Sequence, residues 1–193
     1  MPYPQAHISV LIVSVSDKIF NYLQDLMTDM FYLDVHRASS IGEAKRMTVS
    51  DFYDIVIISA PLKDENGVDF AIDLSADTPA GILFLIASDY YEQISEELGD
   101  YGVLTVSKPT NRQILYESIR LAAATNARLK KYEQKNAKLT AKMEEIRIVN
   151  HAKWALIENL GLSEEEAHKL IEKQAMDARM SKKEIAETIL KTY

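Results

Sequence analysis

The chain has 193 residues, 47% of them apolar, enough for one ordinary domain with an appendage or for two small ones, and too many for general disorder. Cysteine is absent, which excludes disulfides, thiolate nucleophiles and cysteine-ligated zinc, and His7, His36, His151 and His168 are too scattered for a ligand pair such as HxxxH. The net charge of -7 divides unevenly, with 8 Lys/Arg against 18 Asp/Glu in residues 1–125 and 14 against 11 in residues 126–193, so the halves face different partners.

The start, MPYPQAHISVLIV, lacks the basic opening and small-residue cleavage site of a signal peptide, and no apolar run is long enough to span a bilayer. A cytoplasmic protein without a membrane partner is expected. Apolar runs ISVLIV (8–13), DIVIIS (54–59), GILFLIA (81–87) and GVLTV (102–106) predict strands, with YLDVHRA (32–38) a weaker fifth. Segments of helical period lie between them: DKIFNYLQDLMTDMF, SIGEAKRMTV, GVDFAIDLSA and YYEQISEEL. Strands alternating with helices imply an α/β fold, a doubly wound five-stranded parallel sheet. Ser40 with Glu43 and Thr110 with Gln113 have capping-box spacing at helix entrances.

The helix opening at Thr110 does not stop with the sheet. From Asn111 to about Leu160 there is neither Gly nor Pro, and Ala122, Thr125, Leu129, Tyr132, Asn136, Leu139, Met143, Ile146 and Asn150 fall on successive a and d positions of a coiled coil. Asn136 at an a position can pair with its own copy, which favours a parallel homodimer in one register. The flanking g and e charges are mixed, since Arg128 with Glu133 attracts and Lys142 with Arg147 repels. Gly161 ends the long helix, and Ser163 with Glu166 and Ser181 with Glu184 open two more, so the tail is a small three-helix all-α unit. No carboxylate pair, catalytic triad or phosphate-cradling glycine loop appears, and the reading is a non-enzyme without metal or cofactor.

The strand DIVIIS with its loop to Gly67, and Ser107-Lys108-Pro109 after the fifth strand, resemble the receiver domain of two-component response regulators over residues 1–125. The resemblance implies that Lys108 stands where the family bonds a phosphoryl group. It also sets Ser59 at the acceptor aspartate and Ser14 and Val15 at the acidic pair that holds Mg²⁺. Ile86 or Ala87 falls where the family has a hydroxyl, and Thr105 where an aromatic switch residue is common. Magnesium requires hard anionic oxygens, which Ser14 and Val15 lack, and serine forms no acyl phosphate. The expectation is a pseudo-receiver. Asp17, Asp64 and Glu65 are near enough in sequence to rebuild a metal site, but read more simply as a helix start and solvated loop charges.

Residues 146–190 resemble the ANTAR domain, the RNA-binding module of transcription antitermination regulators, through Ala152-Lys153, Leu156, Glu166-Ala167, Leu170, Ala175-Met176 and Ile185-Ala186. Trp154 departs from the small or aliphatic residue usual after Ala-Lys. The resemblance implies binding of paired RNA stem-loops in nascent transcripts, preventing terminator formation, by a protein of three parts: 1–125 receiver-like, 126–146 coiled-coil linker, 147–193 RNA-binding. Arg147, Asn150, His151 and Trp154 share one helix face and carry groups that stack on or hydrogen-bond unpaired bases. Lys153, Lys169, Lys173, Arg179, Lys182 and Lys183 complete the candidate RNA contacts, while a tryptophan such as Trp154 is more often a core or dimer-contact residue than a stacking platform, and lysines on helix faces usually just solvate them. Two rivals remain: a DNA-binding response regulator, for which the last helix offers few base-reading residues, and a protein-interaction adaptor. A regulatory protein or ligand would then replace phosphorylation as the input.

Overall fold

The computed structural model describes residues 7–28 and 32–193; of the helix expected to reach Phe31, positions 29–31 lie outside them. Five strands, β1 (His7–Val13), β2 (Tyr32–Ala38), β3 (Ile55–Ser59), β4 (Gly81–Ala87) and β5 (Leu104–Lys108), form one parallel sheet in the order β2-β1-β3-β4-β5. Between them run α1 (Asp17–Thr28), α2 (Ile41–Ser50), α3 (Val68–Asp77) and α4 (Tyr91–Gly99), the last preceded by a 3-10 turn at Ser88–Tyr90. Then come α5 (Arg112–Leu160), α6 (Glu164–Ala178) and α7 (Lys182–Thr192).

Every residue of β3 is buried, as its unbroken apolar run requires when both sheet faces are covered. Val56 and Ile58 join α2, α3 and α4 through Ile41, Ala44, Phe70, Leu74 and Leu98. Ile55 and Ile57 join α1 and α5 through Leu23, Leu26, Leu115 and Ile119. Each of these Val, Leu, Ile and Phe side chains contributes about 1.5–3 kcal/mol on burial.

Two compact units result, Met1–Lys131 and Tyr132–Tyr193. In the first, α5 is bound closely to the amino edge of the sheet. Ala122, expected to open the coiled-coil seam, is buried there against Gly81. Asn126 Nδ2 donates to the Pro79 carbonyl at 2.9 Å, and Lys130 pairs with Asp54, whose other oxygen accepts from the Ser9 N–H at 3.0 Å. Thus residues 126–130, assigned to the linker from sequence, hold contacts to the sheet edge.

The second unit packs Ala152 and Leu156 of α5 against Ala167 and Ile171 of α6 and Ile185, Ala186 and Ile189 of α7. Its two turns follow sequence closely. Gly161 takes φ 67, a conformation that costs glycine nothing, and Ser163 with Glu166 and Ser181 with Glu184 form complete capping boxes. The other two predicted boxes differ. Asn111 Oδ1 accepts from the Ile114 N–H and replaces Thr110 as the α5 cap, and the Glu43 carboxylate turns to Ser39 while Ser40 caps α2.

Candidate sites at the sheet edge and on the carboxyl-terminal helices

Val13 and Ile58 are partners in the β1–β3 ladder, so Ser14 and Ser59 stand at neighbouring strand ends, where the connections leave to opposite faces and α/β folds open a crevice. Both are buried, Ser59 to 2% exposure. Lys108 closes β5, and its Nζ donates to Ser59 Oγ at 3.1 Å and to the Ala60 carbonyl. Partial burial lowers the pKa of this ammonium from the ordinary lysine value. Of the residues that sequence placed at this edge, Ser59 and Lys108 therefore meet, and the lysine is bonded to uncharged oxygens of its own chain.

The donor set does not fit magnesium. Ser14 Oγ accepts from the Ser16 N–H at 3.2 Å, Val15 is aliphatic, and Ser59 Oγ takes the Lys108 bond, so none offers an anionic oxygen. The neighbouring carboxylates have other partners: Asp17 pairs with Arg37, and Glu65 with Lys45 at 3.2 Å. Asp64, read from sequence as a solvated loop charge, instead accepts from the Gly42 and Ile41 N–H groups at 2.9 and 3.1 Å, which lower its pKa and tie the β3–α3 loop to the start of α2. Ala87, with no hydroxyl, is the β4 partner of Lys108. Thr105 Oγ1 is the buried side-chain polar atom that lacks a hydrogen-bond partner among the described residues.

On α5, Arg147, Asn150, His151 and Trp154 are all exposed, and Trp154, at 63%, stands outside the core of this chain. The small and aliphatic Ala152 and Leu156 fill that core instead. Arg147 is forked onto Glu144 at 2.8 and 2.9 Å, which raises the arginine pKa and lowers that of the glutamate.

The remaining cations divide by partner. Lys153 pairs with Glu164 at 2.9 Å, Lys169 with Glu165 at 2.6 Å, Lys182 with Glu172, and Lys183 with Glu187 at 3.9 Å. Lys173 and Arg179 make no ion pair with a described residue. Lys153 and Lys182 also line a cavity of about 270 Å³ with Lys142, Asn150 and His168. Sequence reasoning missed Lys142 and His168 here, because residues on separate helices carry no spacing signal. Along α5 the residues read from sequence as a coiled-coil seam, Leu129, Tyr132, Leu139, Met143 and Ile146, are exposed in the single chain, Met143 to 71%.

Residues 137–190 match the ANTAR domain family. The transcriptional regulatory protein PdtaR of Mycobacterium tuberculosis is 28% identical over 171 residues, covering 88% of this chain and 83% of its own. Among solved structures, the signal receiver domain of an HD domain-containing protein from Pseudomonas fluorescens Pf-5 covers 68% of this chain and 96% of its own, with TM-score 0.57 and 20% identity. A two-component response regulator from Clostridium difficile covers 60% and 94%, with TM-score 0.52 and 19% identity. At these identities the two structures speak for the fold of the sheet unit alone. No helix among the described residues is long and apolar enough to cross a membrane.

Proposed function

This chain belongs to the ANTAR-family response regulators of the antitermination type, with a receiver fold ahead of the ANTAR domain, and from that premise we infer a dimeric RNA-binding antiterminator whose receiver is not switched by aspartyl phosphorylation. Residues 1–125 act as a pseudo-receiver, residues 126–146 as a coiled-coil linker whose first turn, to Lys130, also holds the sheet edge, and residues 147–193 as the RNA-binding domain. It is a regulator without catalytic chemistry of its own.

The observation that carries the RNA reading is the exposed α5 face of Arg147, His151 and Trp154, inside the segment matched to the ANTAR family. Rings and a guanidinium at i, i+4 and i+7 suit splayed loop bases, which present their faces and pairing edges. Lys173 and Arg179, free of ion pairs among the described residues, suit phosphates better than Lys169, Lys182 and Lys183, each of which must first give up a carboxylate. The α7 helix favours RNA over duplex DNA, since Ile185, Ala186 and Ile189 are buried and its remaining positions include Glu184 and Glu187.

Dimerisation follows from the exposed α5 stripe, which a second α5 with Asn136 paired at the seam would cover. The receiver reading follows from the Lys108–Ser59 bond and from the missing anionic oxygens at Ser14, Val15 and Ser59. Fluorescence anisotropy on the full chain tests the assignment: tight binding to a double stem-loop RNA, weak binding to duplex DNA of equal charge. Equal affinity for both would identify a DNA-binding or charge-driven protein, and affinity for neither a protein-interaction adaptor.

A further inference from the structure

A receiver that takes no phosphoryl group needs another input, and the first unit contains an open groove of about 730 Å³ between the β3–α3 loop and α4. Its walls are largely apolar, formed by Pro61, Leu62, Phe84, Ile86, Tyr90 and Ile94. Phe84 and Ile86 lie on the sheet face that packs α3 and α4, and the aromatic Tyr90 stands exposed at the mouth.

The segment that supplies most of this groove carries charge of one sign. From Asp64 to Ser107 the chain holds ten Asp/Glu and no Lys or Arg. Asp69, Asp73 and Asp77 on α3, Asp89 ahead of α4, Glu92, Glu96 and Glu97 on it and Asp100 after it are exposed, and none forms an ion pair with a described residue. Lys63 is the one cation among the lining residues. On these two helices successive carboxylates such as Asp69 and Asp73, or Glu92 and Glu96, stand one turn apart, and a surface of such like charges repels nucleic acid and anionic lipid and attracts cations.

We propose that this groove is the docking site for an amphipathic, lysine- or arginine-rich segment of a partner protein, which seats its aliphatic side on the groove walls and its cations against α3 and α4. Apolar contacts supply the affinity, as when a helix lies in a groove, and the carboxylates supply orientation and on-rate. The groove begins at Ala60, whose carbonyl accepts from Lys108, so the occupant bears on the same loop that Lys108 and Asp64 tie down. The proposal goes beyond the RNA-binding assignment and holds or fails without it.

The test uses the full-length protein and a labelled 18-residue amphipathic Leu/Lys peptide, with Leu/Gln and Leu/Glu peptides of equal length as comparisons. Fluorescence anisotropy is expected to give roughly micromolar binding of the Leu/Lys peptide alone, weakened by added salt. Ala87→Trp fills the groove floor without changing charge, and Tyr90→Ser removes an exposed wall; each is expected to weaken binding at least tenfold with the thermal transition retained. Tyr90→Ser decides the matter if Ala87→Trp does not fold. Equal binding to both variants and the parent, equal binding of the Leu/Gln peptide, or no binding of the Leu/Lys peptide overturns the proposal. A fall in the oligomer mass of Ala87→Trp by light scattering also overturns it, because the groove would then hold a second copy of this chain.

Discussion

Lys108 Nζ donates to Ser59 Oγ across 3.1 Å, joining the ends of β5 and β3 by a hydrogen bond between an ammonium and an uncharged hydroxyl. In a phosphorylatable receiver that lysine would face a carboxylate, so the pair defines what this edge can do. Incubation with acetyl phosphate and Mg²⁺ is expected to leave the intact mass unchanged. A labile, Mg²⁺-dependent adduct of phosphoryl mass would contradict the pseudo-receiver assignment.

Gly81 and Ala122 hold α5 on the sheet. A Cβ added at 81 would lie 2.6 Å from the Ala122 carbonyl carbon and closer still to its oxygen, and this backbone has little room to yield. Gly81→Ala is therefore expected to lower stability by about 1–3 kcal/mol or more, as overpacking does, read as a lower urea midpoint at unchanged slope. An unchanged midpoint would mean that α5 does not sit here in solution.

Arg179 caps α6 at φ 55, a left-handed conformation that costs a side-chain-bearing residue about 1–2 kcal/mol and glycine almost nothing. Arg179→Gly should raise the melting temperature while weakening RNA binding and lowering the salt slope by roughly 0.7–0.9 for a lost phosphate contact. Lys173→Ala should act on RNA in the same way with little effect on melting. If both variants bind RNA as the parent does, these two cations do not face phosphate.

Acid should loosen the second unit first. The Ser163 N–H and hydroxyl lower the Glu166 pKa, and Ser181 does the same for Glu184. Lys153 lowers that of Glu164, and Lys182 that of Glu172. A carboxylate with a folded pKa below its unfolded one stabilises fully above the unfolded value and loses that contribution as pH falls through the folded value. Helical signal is thus expected to melt at lower temperature from about pH 5 downward, and Glu166→Gln with Glu184→Gln to flatten that slope.

Replacing Asn136 with Leu should raise thermal stability and relax the oligomeric state, since a polar a residue gives up stability for register. Light scattering of the parent at micromolar concentration is expected to report a dimer. A monomer there would mean that the stripe from Leu129 to Ile146 is not a coiled-coil seam.

Periodicity made most of this legible. β2 and β4 lie where the runs YLDVHRA and GILFLIA predict them, and the capping boxes at Ser163 and Ser181 were readable because all their partners are local. β5 starts two residues later than GVLTV suggests, because Gly102, at φ 72, is spent in the turn after α4. The meeting of Ser59 and Lys108 was foreseeable from two strands ending on one edge. The anchoring of Asp64 on α2, the burial of Ala122 against Gly81 and the pooling of Lys142 with His168 depend on through-space approach, which no spacing encodes.

Trp154 is the single tryptophan of the chain, so its emission reports directly on the face assigned to loop bases. Titrating the full-length protein with a double stem-loop RNA is expected to quench that emission to a plateau at one RNA per dimer, while duplex DNA of equal charge leaves it nearly unchanged, because stacking requires an unpaired base. Emission that stays constant while anisotropy shows the RNA bound, or that falls equally with duplex DNA, would contradict the account.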